Sequence, residues 1–144
     1  MNILFFTRRF YPDIGGVEKH VFEIGKRLVK NGHKVVVITE ESTSELSSYK
    51  VIKSKVEKVT GIKVIRIFVG RDDWCKKFRI WKSLWNLRKV IQDADVIHCH
   101  DVFFWYLPFR FLFPTKPVYT TFHGYESYPI KKKAIIIRKI AELL

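Results

Sequence analysis

Apolar residues first occur as a block. Ile3, Leu4, Phe5 and Phe6 are consecutive, the pattern of a strand covered on both faces in a parallel sheet. From Val17 the spacing changes. Val17, Val21, Ile24 and Leu28 recur at helical intervals, with Glu18, Lys19, Glu23, Lys26 and Lys30 on the rest of the wheel, which predicts an amphipathic helix. It stops at Asn31-Gly32, where glycine takes the left-handed conformation without a Cβ clash. Val35 to Ile38 is a second β-branched run, too short for a helix. A strand, a crossover helix and a second strand make a right-handed βαβ unit.

The polar segment Glu40 to Ser48, rich in Ser and Thr, reads as a loop. Val56–Val59, Gly61 and Ile62–Val69 predict a strand, a tight turn and a further strand. Arg71 to Asp93 reads as one helical stretch with a core stripe of Ile80, Leu84, Leu87 and Ile91. Beside it Trp74, Phe78, Trp81 and Trp85 form an aromatic shoulder among Lys76, Lys77, Arg79, Lys82 and Lys89. That shoulder has two readings: aromatics packed on a neighbouring loop, or a membrane-interface helix, because Trp rings with flanking lysines suit the headgroup layer. Val96 to Asp101 predicts a strand on which His98 and His100 share one face. The aromatic run Val102 to Phe113 is too short to span a bilayer, so it is a core helix or part of an apolar groove. Pro117 to Thr121 is a final strand, leading to Phe122-His123-Gly124, and Lys131 to Leu144 is a basic, then apolar helix. A helix with no strand after it leads us to expect a piece of a longer polypeptide.

At 144 residues and 47% hydrophobic, the chain is one domain able to bury a core, which excludes a disordered segment. Its 27 Lys and Arg outnumber 14 Asp and Glu, for a net charge of +13, and so favour polyanions: nucleic acid, anionic lipid or phosphorylated small molecules. No apolar run reaches the length of about 18 residues needed to span a bilayer. The N-terminus lacks a basic leader segment and meets Arg8-Arg9 at once, unlike a signal peptide. Cys75 and Cys99 are too few for a disulfide scaffold and fit a reducing compartment, so the expected location is cytoplasmic.

Candidate chemistry gathers where strands end. Gly15-Gly16 lies at the turn from strand to helix, where bare backbone lets a ligand approach and N–H groups can face an anion; a simple turn is the equal alternative. In an open α/β sheet this is the mouth of a phosphate or sugar site. The absence of G-x-G-x-x-G disfavours a dinucleotide dehydrogenase. His98 and His100 lack a third ligand at metal-site spacing, so no metal is expected, whereas His100 and Asp101 end a strand and fit rim contacts. His20 reads as a surface residue. Glu18 either reaches a ligand hydroxyl or favours the helix dipole, and Arg8 and Arg9 either bind an anion or flank the core.

Four motifs occur in a telling order: Tyr11-Pro12-Asp13-Ile14-Gly15-Gly16-Val17-Glu18, Asn31-Gly32-His33-Lys34-Val35, Asp95-Val96-Ile97-His98-Cys99-His100, and Thr121-Phe122-His123-Gly124. Their succession resembles the N-terminal half of retaining GT-B glycosyltransferases of the family-4 type, over nearly the whole chain. The resemblance implies an α/β fold with a Rossmann-like, doubly wound, mainly parallel sheet, with residues 1–144 forming the acceptor-side domain. It implies a nucleotide-diphosphate sugar as substrate, no cofactor, and a glycan or lipid-linked acceptor. Gly15 and Gly16 match the loop near the donor diphosphate and the acceptor. His123 matches the catalytic-site histidine that hydrogen-bonds the transferred sugar, and Glu18, Arg8, Arg9, His100 and Asp101 become acceptor-side candidates.

In this family the departing diphosphate is thought to take the acceptor proton on the face of attack, so the paired carboxylates of glycosidases are not needed. Leaving-group charge is neutralised by an Arg and a Lys of a C-terminal domain, where paired glutamates also hold the donor. That domain is absent here, so the chain alone is expected to have little transfer activity. Charge and aromatics favour an acceptor at or near a membrane. The rival readings are a basic nucleic-acid-binding domain and a non-catalytic membrane- or partner-binding subunit. The former is disfavoured, because Lys and Arg are spread over many segments and no nucleic-acid-reading motif is present.

Overall fold

The computed structural model describes residues 1–41, 55–124, 135–136 and 139. Most of the predicted 40–48 loop and of the 131–144 helix lies outside the described residues, but Ile135, Ile136 and Lys139 are helical. The opening apolar run forms β1 (Asn2–Thr7), followed by α1 (Gly16–Lys30) and β2 (Lys34–Glu40). A hairpin of β3 (Lys55–Val59) and β4 (Ile62–Ile67) leads to α2 (Lys76–Asn86) and α3 (Arg88–Asp93). β5 (Val96–His100), α4 (Phe103–Leu112) and β6 (Val118–Thr121) complete the order.

The six strands form one sheet in the order β3-β4-β2-β1-β5-β6. Only β3 is antiparallel to its neighbour; the other pairings are parallel. From β1 the chain winds outward through β2 and β4, then returns to place β5 and β6 on the other side of β1. This is the expected doubly wound sheet, with its switch point between β1 and β5, where such sheets open a crevice.

Alternation along the strands builds two cores. Ile3, Phe5, Val35, Val37, Ile62 and Val64 face α1, with Phe10 and Val21. Leu4, Phe6, Ile38, Ile65, Ile67, Ile97 and Cys99 face the other helices, meeting Ile80 and Leu84 of α2, Ile91 of α3, and Trp105, Tyr106 and Phe109 of α4. Each such side chain contributes about 1.5–3 kcal/mol when fully buried, so the aromatic run predicted as core helix or groove lining is anchored as a core helix. In the hairpin, Thr60 (φ 46°) and Gly61 (φ 86°) are both left-handed between paired Val59 and Ile62, as a two-residue type I′ turn requires.

The predicted helix 71–93 is corrected in two places. It begins only at Lys76, and Leu87 (φ −97°, ψ 11°) divides it into α2 and α3. Arg79 explains the late start. Its Nε donates to the Val69 carbonyl at 2.7 Å, and its Nη2 donates to the Arg71 carbonyl at 2.6 Å and to Asp73 Oδ1 at 2.7 Å. The turn before the helix is therefore satisfied without helical bonds, and the Arg79 hydrogen bond holds the Asp73 carboxyl below the usual carboxylate range. β4 likewise ends at Ile67, short of the predicted Val69.

In α4, Pro108 has no N–H for the Phe104 carbonyl one turn back. Trp81 Nε1 donates to that carbonyl at 3.1 Å instead, which locks α2 to α4.

Candidate functional site

The loop from β1 to α1 is held by polar groups on three strands. Thr7 Oγ1 donates to the Arg9 carbonyl at 3.0 Å, while Thr39 Oγ1 and the Glu40 N–H donate to the Arg8 carbonyl at 3.1 and 3.2 Å. Arg66 of β4, itself buried, donates to the Tyr11 carbonyl and pairs with Glu57 at 2.7 Å. Phe10 is fully buried beneath, in ring contact with Phe22 at 6.0 Å. Gly15 and Gly16 are thus delivered to a fixed place at the start of α1.

Neither glycine is demanded by its backbone dihedrals. Gly15 is the extended N-cap of α1 (φ −175°, ψ 173°), a conformation open to any residue. A Cβ there would collide with the Glu18 carboxylate, which folds back over it. A Cβ on Gly16, by contrast, would meet nothing within 4 Å. The open space above Gly16 and the unpaired N–H groups of a helix start suit an anion or a hydroxyl-rich ligand.

Beside this loop four imidazoles touch. His98 and His100 point to the α1 face of β5, with ring centroids 5.5 and 5.3 Å from Phe5 and 4.1 Å from each other. His123, just beyond β6, lies 5.4 Å from His100, with its Nε2 3.2 Å from His100 Nδ1. His20, one helical turn after Gly16, brings its ring within 5.0 Å of His123. Asp101 completes the frame in a left-handed conformation (φ 59°). Its N–H donates to the Thr121 carbonyl at 3.0 Å and its Oδ1 accepts the His123 N–H at 2.9 Å.

Burial sets the proton positions. His100 is 1% exposed, and desolvation, followed by the charges of His98, His123 and His20, pushes its pKa down to about 3. His98, which shares a hydrogen bond of 2.8 Å with Thr121 Oγ1, is lowered mainly by burial as well. Neutral His100 has one N–H, and its Nε2 has no partner among the described residues. An orphaned buried N–H is rarer than an under-satisfied acceptor, so the hydrogen sits on Nδ1 and is donated to His123 Nε2. In this pair His123 is engaged through Nε2, which leaves its Nδ1 to face other groups.

The candidate residues named from the sequence therefore divide. Gly15, Gly16, His100, Asp101 and His123 converge at the carboxyl ends of the parallel strands, with Gly16 exposed and His123 half-buried. Arg8 and Arg9 lie on the same rim with exposed side chains. Glu18 sits against Gly15 in the first turn of α1, where it favours the helix dipole. His20 is exposed, as expected of a surface residue, yet it closes the imidazole group. Its four-residue spacing from Gly16 was the available signal. Among the described residues, no three His, Cys, Asp or Glu are placed to hold a metal ion.

The profile of Glycosyltransferase Family 4 matches residues 14–143. Over 38 residues the chain is 42% identical to one of the phosphatidylinositol N-acetylglucosaminyltransferase subunits of Homo sapiens, covering 26% of this chain and 8% of that protein. It is 53% identical over 30 residues to the gpi3 subunit of the same transferase from Schizosaccharomyces pombe, covering 21% and 7%. The crystal structure of α,α-trehalose 6-phosphate synthase from Burkholderia multivorans superposes with a TM-score of 0.53 at 12% identity, over 99% of this chain and 36% of that one. That likeness concerns the fold alone.

Proposed function

The chain belongs to glycosyltransferase family 4, and from that premise we propose that residues 1–144 are the acceptor-side domain of an enzyme moving a sugar from a nucleotide-diphosphate sugar to a lipid-linked acceptor with retention. The reading rests above all on the open Gly16 backbone and the His123 imidazole lying on one rim of the sheet, bridged by His20, whose ring is 5.0 Å from that of His123. The relatives named as phosphatidylinositol N-acetylglucosaminyltransferase subunits favour a phosphoinositide lipid as acceptor.

Each group then has a task. The amides at Gly15 and Gly16 meet phosphate oxygens, helped by the positive end of α1. His123 donates from Nδ1 to a sugar hydroxyl, and His100 and Asp101 hold it in place. Arg8 and Arg9 offer charge to the lipid phosphate. The departing diphosphate takes the acceptor proton, so no carboxylate base is required of this half. Donor binding and charge neutralisation belong to a second domain or a partner chain, and the chain alone has little activity. The word subunit in the relatives' names favours a partner chain as a second reading. The domain sits peripherally on the cytoplasmic face of the membrane.

Titration of the isotope-labelled chain with glycerophosphoinositol, followed by NMR, tests this reading. Saturable shifts are expected at the Gly16 and Arg9 amides, and Arg9→Ala should weaken binding about tenfold, the worth of one hydrogen bond between charged groups. Absent shifts, or shifts confined to other surfaces, would overturn it.

A further inference from the structure

Folding leaves a band of aromatic rings uncovered on the sheet face opposite α1. Ile80 and Leu84 anchor α2 in the core, but Trp74, Phe78 and Trp85 are 82%, 59% and 53% exposed. The rings are continuous: Trp74 meets Phe78 at 6.4 Å, Phe78 meets Trp81 at 5.8 Å, and Trp81 meets Phe104 of α4 at 6.4 Å. Phe111 is two helical turns beyond Phe104 on the same side of α4 and is 71% exposed. Cations lie within the band. Lys77 Nζ is 5.5 Å from the centre of the Phe104 ring and the Arg88 guanidinium is 5.7 Å from that of Trp85, while Lys82 is exposed between Phe78 and Trp85 in sequence. The nearby acids are engaged, Asp72 with Lys76 at 3.5 Å and Asp73 with Arg79 at 2.7 Å.

We propose that this α2–α4 face docks the domain on a bilayer containing anionic lipid. Two features favour a bilayer over a protein partner. Protein interfaces are depleted in lysine relative to the rest of the surface, whereas this band has lysines inside it; and Trp rings flanked by lysine stems match the headgroup layer, where ammonium groups reach water and lipid phosphates. The chain's net charge of +13 adds attraction to such a surface. No helix among the described residues is long and apolar enough to cross a membrane, so contact is by one face.

The placement also serves the site. Lys76 at the start of α2 pairs with Glu40 at the end of β2 at 2.9 Å, and α4 starts just after β5. The Trp74 and Phe104 ends of the band thus lie at the sheet edge that carries Gly16 and His123. The imidazoles face α1, on the other side of the sheet, so the domain meets the bilayer tipped onto the Trp74 and Phe104 end of the band, an orientation that rests on the lipid-acceptor reading.

The test is co-sedimentation of the chain with phosphatidylcholine vesicles made with and without phosphatidylserine. Binding is expected with phosphatidylserine at low salt and should weaken as salt rises. Brominated lipid should quench Trp74 and Trp85, read as the difference from the double variant. Trp74→Ala with Trp85→Ala should lower partitioning at least about tenfold, and Lys77→Glu with Lys82→Glu should weaken it too. Both pairs change exposed side chains, and circular dichroism checks the fold. Vesicle binding that is absent, or unaffected by the tryptophan variants, overturns the proposal. So does protection of Trp74 and Trp85 from acrylamide without lipid, which would mean that polypeptide covers the band. The glycerophosphoinositol titration, repeated on the same variants, separates failure of docking from failure of the rim.

Discussion

Among the described residues, His100 is buried and neutral, and is bonded through one ring nitrogen only. Its pKa of about 3 in the folded chain lies well below the ordinary histidine value of about 6.5. Between those limits the unfolded chain binds more protons, so the stability present above pH about 6.5 is lost as pH falls toward 3. One such group gives a slope of at most about 1.4 kcal/mol per pH unit, and His98 acts in the same direction. Melting temperatures should therefore drop between pH 6.5 and 4, with a shallower drop in His100→Asn; equal slopes in the two proteins would contradict the assignment. At this scale the sequence was partly legible. The shared face of His98 and His100 followed from strand alternation alone. The approach of His20 followed only in part: its spacing from Gly16 puts it on the same side of α1, but that α1 lies over the β1/β5 junction is a tertiary fact.

Among the elements, the β1–α1 loop depends on a residue distant in sequence. Arg66 fastens it from β4 through the Tyr11 carbonyl. Arg66→Met keeps the buried stem but removes the donor, which should cost about 1–3 kcal/mol and speed hydrogen exchange at Asp13, whose N–H donates to the Phe10 carbonyl at 3.1 Å. Exchange unchanged at Asp13 would show that the loop is held by Phe10 and the threonines instead. The strands were legible as short continuous apolar runs and α1 by its single helical period. The break at Leu87 was hidden, since Ile80, Leu84, Leu87 and Ile91 keep helical spacing straight across it, and the Arg79 contacts that delay α2 are tertiary. The Trp81 bond to the carbonyl freed by Pro108 was equally out of reach: the proline marks the missing donor, but not which side chain replaces it.

In the whole molecule, double winding brings together residues far apart in the chain: Gly16 at the first crossover and His123 after the last strand. The fold class was legible because continuous β-branched runs alternating with an amphipathic helix admit few architectures. The rim was legible mainly through the family motifs, since glycine pairs and lone histidines are common outside binding sites. The proposed function depends on Gly16 being bare so that a ligand, rather than the fold, can occupy the space above it. Gly16→Ala isolates that point, because the added Cβ meets nothing within 4 Å and Gly16, the first residue of α1, has no left-handed backbone. The decisive measurement is glycerophosphoinositol affinity beside melting temperature for wild type and Gly16→Ala. An unchanged or higher melting temperature is expected, with binding weakened at least about tenfold, a loss of about 1.4 kcal/mol; equal affinity in the two proteins would mean that no ligand uses the space above Gly16.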